Sequence, residues 1–349
     1  MCTFNVSVCG MFLIFHIQDN SCCRRQPTAV IAKNKSIVMT LNAVMLILIV
    51  FTGCANIPCS PPEYYAPEEG APYIAEGVSI TTKEGHLLVG TLTIPKDVNH
   101  TVPGVVLITG SSPQNRDHSP LHYPEYRLFR QIADALSRRG IAVLRMDDRG
   151  CGCSGGGPLE SATTAERADD IRAGISYLKG REEVNTNRIG LIGLSEGGII
   201  APMIAVTDSS IIAIVLMAAS ANKGDVILDY QDGTEWRGSV DRLSEWHQFF
   251  IAYNPLPTAT MVRCPVLILH GDRDKHVPVE HANILSETIR RGGNNDVTVH
   301  IFPGYIHNFI HEEEANRKEK EGRPLHEILK ISPDVISVIS DWIVTKVTL

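Results

Sequence analysis

The chain predicts an α/β fold, a mostly parallel sheet covered by helices on both faces, on three observations. Apolar runs of strand length alternate with helical segments from residue 78 to residue 346, the trace that crossover helices leave between parallel strands. Several runs, including Val105–Thr109, Ile211–Met217 and Val266–Leu269, are continuously apolar, as strands buried on both faces are. The loops richest in reactive side chains all follow such runs, at the carboxyl ends where these sheets bind ligands.

Each element has its own justification. Val78–Thr82 and His86–Ile94 alternate around a Lys83-Glu84-Gly85 turn and read as an opening antiparallel pair. Val105–Thr109 is the first central strand. Tyr126–Arg139 carries Leu128, Ile132, Ala135 and Leu136 on one face and stops at Gly140, a helix with a glycine C-cap. Ile141–Met146 is a strand, followed by a glycine-rich loop over 149–157. Thr163–Leu178 is helical, with Thr164 as N-cap and residues 167–172 as its polar face. A strand then leads into Ser195, a helix follows over 198–206, and Ile211–Met217 and Val266–Leu269 are strands. Helix Glu280–Arg291, strand Val297–Phe302 and a final helix from Pro333 to Lys346, proline in its first turn, complete the order.

With 349 residues, of which 44% are hydrophobic, the chain can bury one large core. A formal charge of -7 argues against a nucleic-acid or polyanion partner and favours a small or neutral ligand. Six of the nine cysteines, Cys2, Cys9, Cys22, Cys23, Cys54 and Cys59, precede residue 60, so the body is not expected to be a disulfide scaffold. Cys151 and Cys153 have no second cysteine pair to complete a zinc site, and cysteines this close in the chain bridge poorly with each other. No metal or cofactor is expected.

Residues 1–53 read as an export region. The apolar run at 37–53 follows Lys33 and Lys35 and ends in small residues before Cys54, the shape of a secretory signal whose core is short for a membrane helix. An earlier apolar patch, Met11–Ile17, precedes it, and a start at Met39 would remove both that patch and the lysines. Phe51-Thr52-Gly53-Cys54 resembles a bacterial lipobox, which implies a lipidated Cys54, with phenylalanine where leucine is usual. The alternative is an uncleaved anchor. Residues 54–75, rich in proline and glutamate, read as a tether, and 76–349 as the folded domain.

The reactive loops follow from the chemistry of a serine nucleophile. Gly193-Leu194-Ser195-Glu196-Gly197 fits G-x-S-x-G, a strand-to-helix turn whose glycines allow close backbone approach. The following helix N-terminus favours negative charge beside Ser195. A serine hydroxyl needs a base, and the base needs an orienting acid. His270-Gly271-Asp272-Arg273-Asp274 follows one strand, and Gly304-Tyr305-Ile306-His307 follows the next, in the order Ser, Asp, His. His270, His276 and His281 read as surface histidines of a loop or helix. His300 falls within a strand and His311 opens a charged segment. The Glu196 amide, next to the nucleophile, is a candidate oxyanion donor, and the loop after Val105–Thr109 should supply a second.

These sites together resemble the α/β-hydrolase superfamily across residues 78–346. The resemblance points to Asp274, through Gly271-Asp272-Arg273-Asp274 with Val277-Pro278 behind it, and leaves Asp272 as the alternative acid. It likewise points to His307 through a late Gly-x-x-His. Gly110-Ser111-Ser112-Pro113-Gln114-Asn115-Arg116-Asp117 is similar to the G-S-G-P-Q-D-R-D loop of a bacterial esterase-like branch, with Ser112 in place of glycine, and this implies Ser111 as the second oxyanion donor. Asp147-Asp148-Arg149-Gly150 resembles the same branch, with Arg149 expected to pair structurally with a carboxylate or carbonyl. Residues 221–263 fall where the superfamily inserts a cap. The stretch is short, and Trp236, Trp246, Phe249, Phe250 and Tyr253 either line a pocket or pack a small lid.

The resemblance implies a serine hydrolase that cleaves small-molecule carboxylic esters through an acyl-enzyme; the signal region adds export, and the short cap stretch adds a preference for short acyl groups. The catalytic set would be Ser195, His307 and Asp274, with the Glu196 and Ser111 amides as oxyanion donors. An aminopeptidase or thioesterase would use the same triad. A surface lipoprotein that only binds a ligand is the non-enzymatic alternative.

Overall fold

The computed structural model describes residues 6–9, 12–15, 59, 65–96, 98–119, 126–232, 244–321 and 330–348. The signal run at 37–53, Lys33, Lys35, Met39, Cys54 and Trp236 lie outside the described residues. The N-terminal unit contains one antiparallel hairpin, Val6–Cys9 against Phe12–Phe15.

The second unit holds an eight-stranded sheet. Its strands are β1 (Tyr73–Thr81), β2 (Leu87–Pro95), β3 (Val102–Ile108), β4 (Ala142–Met146), β5 (Val184–Leu194), β6 (Ile211–Met217), β7 (Val266–Gly271) and β8 (Val297–Phe302). They lie in the order β8-β7-β6-β5-β3-β4-β2-β1. Only β1 and β2 run antiparallel to their neighbours, and β3 to β8 pair in parallel. Every residue of β3, β4 and β7 is buried, as expected of largely apolar strands covered on both faces, with Arg145 and His270 as the buried polar exceptions. The opening hairpin is longer than its alternation indicates, because β1 already pairs from Tyr73.

Two helical layers cover the sheet. On one face, α2 (Thr164–Lys179), α3 (Gly197–Ala205) and α7 (Glu280–Arg291) bury Ile175, Ile200, Ile204, Leu285 and Ile289. On the other, α1 (Leu128–Ser137) and α9 (Pro333–Thr348) bury Phe129, Ile132, Ile339 and Ile343. Between them in sequence come α4 (Gly224–Asp232), α5 (Glu245–Ala252) and α6 (Pro255–Ala259) of the cap stretch, and α8 (Glu312–Glu321).

Two local expectations are corrected. The N-cap of α2 is Thr163 rather than Thr164. Its hydroxyl accepts from Glu166 N at 3.2 Å while its own amide donates to Glu166 Oε2 at 2.7 Å, a reciprocal capping box that only Thr163 is placed to close. The face at 167–172 is not uniformly polar and solvated: Arg167 and Asp170 are buried. Their charges are compensated by partners distant in sequence, which is what permits burial.

The expected structural pairing of Arg149 is present. Its Nε and Nη2 donate to Asp170 at 2.7 and 2.9 Å. Cys153 bonds Cys59 across 94 residues, and Cys151 is disulfide-bonded as well. A covalent tie from residue 59 to the body was not legible in the spacing.

Candidate active site

Ser195 stands where β5 meets α3, with φ at 55°. A left-handed backbone at a non-glycine residue costs about 1–2 kcal/mol, and the surroundings enforce it. The Ser195 amide donates to Met217 O on β6 at 2.8 Å. A Cβ at Gly193 would lie 2.1 Å from Gly197 O, and one at Gly197 would lie 2.3 Å from Ile108 O. Both distances are far inside any real contact, so strand and helix can meet at this angle only through glycine. His118, Arg127, Ala218 and Phe309 also take positive φ, with Ala218 directly after β6.

The acid and histidine loops are built against each other. A Cβ at Gly271 would lie 2.2 Å from Tyr305 O, so the loop after β7 touches the loop after β8 backbone to backbone. Arg273 N donates to Tyr305 O at 2.9 Å, and Gly304 N donates to Asp272 Oδ1 at 2.7 Å. Asp272 thus fastens the two loops and remains partly solvated, with its side chain 37% exposed. Asp274 points the other way. Its side chain is fully buried, and Oδ2 accepts from His307 Nδ1 at 2.7 Å. Oδ1 accepts from the His276 and Val277 amides at 2.8 and 3.0 Å. Burial alone would raise this carboxyl, but the facing His307, the hydrogen bonds from His270 and His307, and the Val277 amide outweigh it and hold it well below the usual range.

Two of the histidines read as surface residues are buried. His270 is wholly inaccessible, with Nε2 3.0 Å from Val277 O and 3.2 Å from Asp274 Oδ2. His281 accepts from Ala221 N through Nδ1 at 3.1 Å, and burial lowers its pKa to about 4. His276 is exposed, as expected, with its ring 4.9 Å from that of His307. His118 Nε2 lies 3.5 Å from Asn308 Oδ1, and burial lowers its pKa to about 4. Tyr126 donates to Asn308 O at 2.7 Å and braces the loop from its other side.

The structure therefore brings His307 and Asp274 into direct contact and sets Asp272 apart from both. Among the described residues, the Ser195 hydroxyl makes no hydrogen bond. Such contacts are commonly long until substrate binds. Neither the Glu196 nor the Ser111 amide donates to a backbone acceptor among the described residues. Ser111 is exposed, and Gly110 beside it packs on Ser195, a Cβ there falling 3.3 Å from Ser195 Cβ.

Beneath these loops lie two buried ionic networks absent from the sequence reading. Arg116 donates through Nε and Nη2 to Asp147 at 3.0 and 2.6 Å and sends Nη1 to Gly90 O at 2.7 Å. Arg145 pairs with Asp117 in full burial. In the second network, Arg167 joins Glu196 to the Gly110 loop, and Asp148 accepts from Thr109 Oγ1 and from Gln114 N at 3.0 Å. One sequence signal for Arg167 exists: Ile171 and Ile175 follow it at i+4 and i+8, so it lies on the apolar stripe of α2. From the cap stretch, Trp246 donates to Glu196 Oε1 at 2.9 Å and stacks on Phe250, ring centroids 4.8 Å apart. Phe250 packs with Ile199, Ile227 and Val277. Among the described residues, no cluster of side chains has the make-up of a metal site.

The strand order and the helices on both faces define an α/β-hydrolase fold. The chain belongs to the prolyl oligopeptidase family, whose sequence profile matches residues 127–323. Over 288 residues it is 25% identical to the uncharacterized peptidase YuxL of Bacillus subtilis. That alignment covers 77% of this chain but only 38% of the relative. It is 22% identical to a monoacylglycerol lipase of Mycolicibacterium smegmatis, over 53% of this chain and 78% of the lipase. Among solved structures it resembles the esterase Pf2001 of Pyrococcus furiosus, with a TM-score of 0.56, 20% identity, and coverage of 77% of this chain and 95% of the esterase. Est1E of Butyrivibrio proteoclasticus with ferulic acid bound gives a TM-score of 0.58 at 20% identity, covering 78% of this chain and 100% of Est1E.

Proposed function

We propose that the protein is an exported serine hydrolase that cleaves carboxylic esters of short acyl groups through an acyl-enzyme. The observation that carries this is the buried Asp274–His307 hydrogen bond on the loops beyond β7 and β8, together with the left-handed Ser195 turn at the end of β5. Ser195 Oγ attacks the ester carbonyl and gives its proton to His307 Nε2, while Asp274 holds Nδ1–H and stabilises the imidazolium. The oxyanion is received by the Glu196 and Ser111 amides. His307 then protonates the departing alcohol, and water activated by the same imidazole releases the acid. The similarity of residues 110–117 to the bacterial esterase-like loop supports the ester reading, as does the compact cap.

Labelling by a fluorophosphonate, lost in Ser195→Ala, tests the nucleophile. Faster turnover of p-nitrophenyl acetate than of the dodecanoate tests the acyl preference, and the reverse order would overturn it. The family match favours a second reading, hydrolysis of an aminoacyl or acyl-peptide amide, so aminoacyl β-naphthylamides belong in the same panel. The Cys59–Cys153 disulfide supports export, because such bonds persist in oxidising compartments. Anchoring through Cys54 would be seen as detergent-phase partitioning that is lost in Cys54→Ala.

A further inference from the structure

One buried side chain holds both Glu196 and the carbonyl of the peptide unit that carries the Ser111 amide. Arg167 on α2 is 4% exposed. Its Nη1 donates to Glu196 Oε2, and its Nη2 donates to Gly110 O at 2.8 Å and Thr109 Oγ1 at 3.2 Å. The Gly110 carbonyl and the Ser111 amide are opposite ends of a single peptide unit. Among the described residues every peptide bond is trans, so the carbonyl and the N–H of that unit point in opposite directions. Holding the carbonyl on the guanidinium therefore turns the Ser111 N–H away from the interior. A flip of this unit would bring a carbonyl oxygen toward a developing negative charge in place of a donor. Gly110, followed by Ser111 and Ser112 and with no side chain of its own, offers little resistance to such a flip.

We propose that Arg167 is the positioning residue of the oxyanion hole. It holds the Gly110–Ser111 peptide in the donating orientation and fixes, through Glu196, the residue that supplies the other amide. This rests on the serine-hydrolase reading. Arg167 touches neither substrate nor Ser195, so its contribution should appear in the chemical step. A guanidinium is required because its planar fork spans acceptors on two loops at once, which an ammonium does not.

The test uses p-nitrophenyl acetate with the full chain. Arg167→Lys keeps the charge but serves one loop. Arg167→Met with Glu196→Gln removes the guanidinium together with the carboxylate it touches most closely, while Asp148 keeps its hydrogen bonds from Thr109 and the Gln114 amide. Both should lower kcat by about 100-fold with KM within a few-fold, the signature of a lost transition-state interaction. Ethylguanidinium should restore part of the rate in Arg167→Ala, which a purely structural defect would not permit. Ser195→Ala separates the two ideas. If it retains turnover, the hydrolase reading fails. If it is dead while Arg167→Lys and the double variant keep wild-type kcat, or change only KM, the positioning role is refuted alone.

Discussion

Asparagine at 274 should inactivate the enzyme while leaving the fold nearly intact. The Asp274 Oδ1 atom accepts from the His276 and Val277 amides at 2.8 and 3.0 Å, and the asparagine oxygen can keep both, so the loop retains its shape. The new amide nitrogen then takes the place of Oδ2, which now accepts from His307 Nδ1 at 2.7 Å. Two donors cannot face each other. His307 must accept at Nδ1 and carry its proton on Nε2, where it can no longer take one from Ser195. Loss of the correct tautomer costs about 10⁴-fold in kcat, or about 5 kcal/mol of transition-state stabilisation. Stability should change by about 2 kcal/mol or less, because the two loop hydrogen bonds survive. Asp272→Asn is the matched control: its Oδ1 accepts Gly304 N, an oxygen contact that asparagine preserves, and its ion pair with Arg273 is solvent-exposed, so kcat should hold within about 3-fold. Steady-state hydrolysis of p-nitrophenyl acetate, with active sites counted by fluorophosphonate titration, measures both. Asp274→Asn keeping more than about a tenth of wild-type kcat, or Asp272→Asn falling as far as Asp274→Asn, would refute these roles.

Trp246→Phe retains the stack on Phe250 but deletes the indole donor to the buried Glu196 carboxylate. It should lower unfolding free energy by about 1.5–3 kcal/mol in denaturant titration, the range for a hydrogen bond to a charged group. Replacing Cys59 and Cys153 together by serine opens a 94-residue closure and should cost about 2–5 kcal/mol, read as a lower denaturant midpoint with a steeper slope as the unlinked denatured chain expands. An unchanged midpoint would mean that this bond contributes nothing to the folded body. Asp148 supplies a pH test. Burial, opposed by Arg167, Thr109 and the Gln114 amide, pushes its carboxyl up to about 6 from 3.8. The native state therefore holds that proton more tightly than the unfolded chain, and stability from this group declines as pH rises from 3.8 through about 6. Asp148→Asn removes the decline, so the melting temperature of the variant relative to wild type should climb across that interval. A constant difference would refute the assignment.

How far the sequence could be read depends on the range over which each feature is encoded. The Ser195 turn was legible because the sterics of a strand-to-helix turn act between near neighbours: Gly193 and Gly197 are demanded by backbone oxygens at 2.1 and 2.3 Å. The strands were legible because a two-sided burial leaves a continuous apolar run. Periodicity alone does not separate Asp272 from Asp274, which occupy one turn and differ only in direction; the resemblance of the Gly-x-x-Asp spacing pointed to Asp274. The contact of Gly271 with Tyr305 and the hydrogen bond to His307 distinguish them. His270 and His281 were misread as exposed because a polar side chain is buried only where a distant partner satisfies it. For His281 that partner is the amide of Ala221, 60 residues away.

By itself, then, the sequence determined the alternation of strands and helices, the placement of the reactive loops at strand ends and the shape of the serine turn, all consequences of periodicity and of local sterics. Only the tertiary structure decided that Arg167 bridges Glu196 to Gly110 and that Cys153 reaches back to Cys59. A buried charge or thiol is specified by where the fold brings its partner, and that partner lies tens of residues away, beyond the reach of any local pattern.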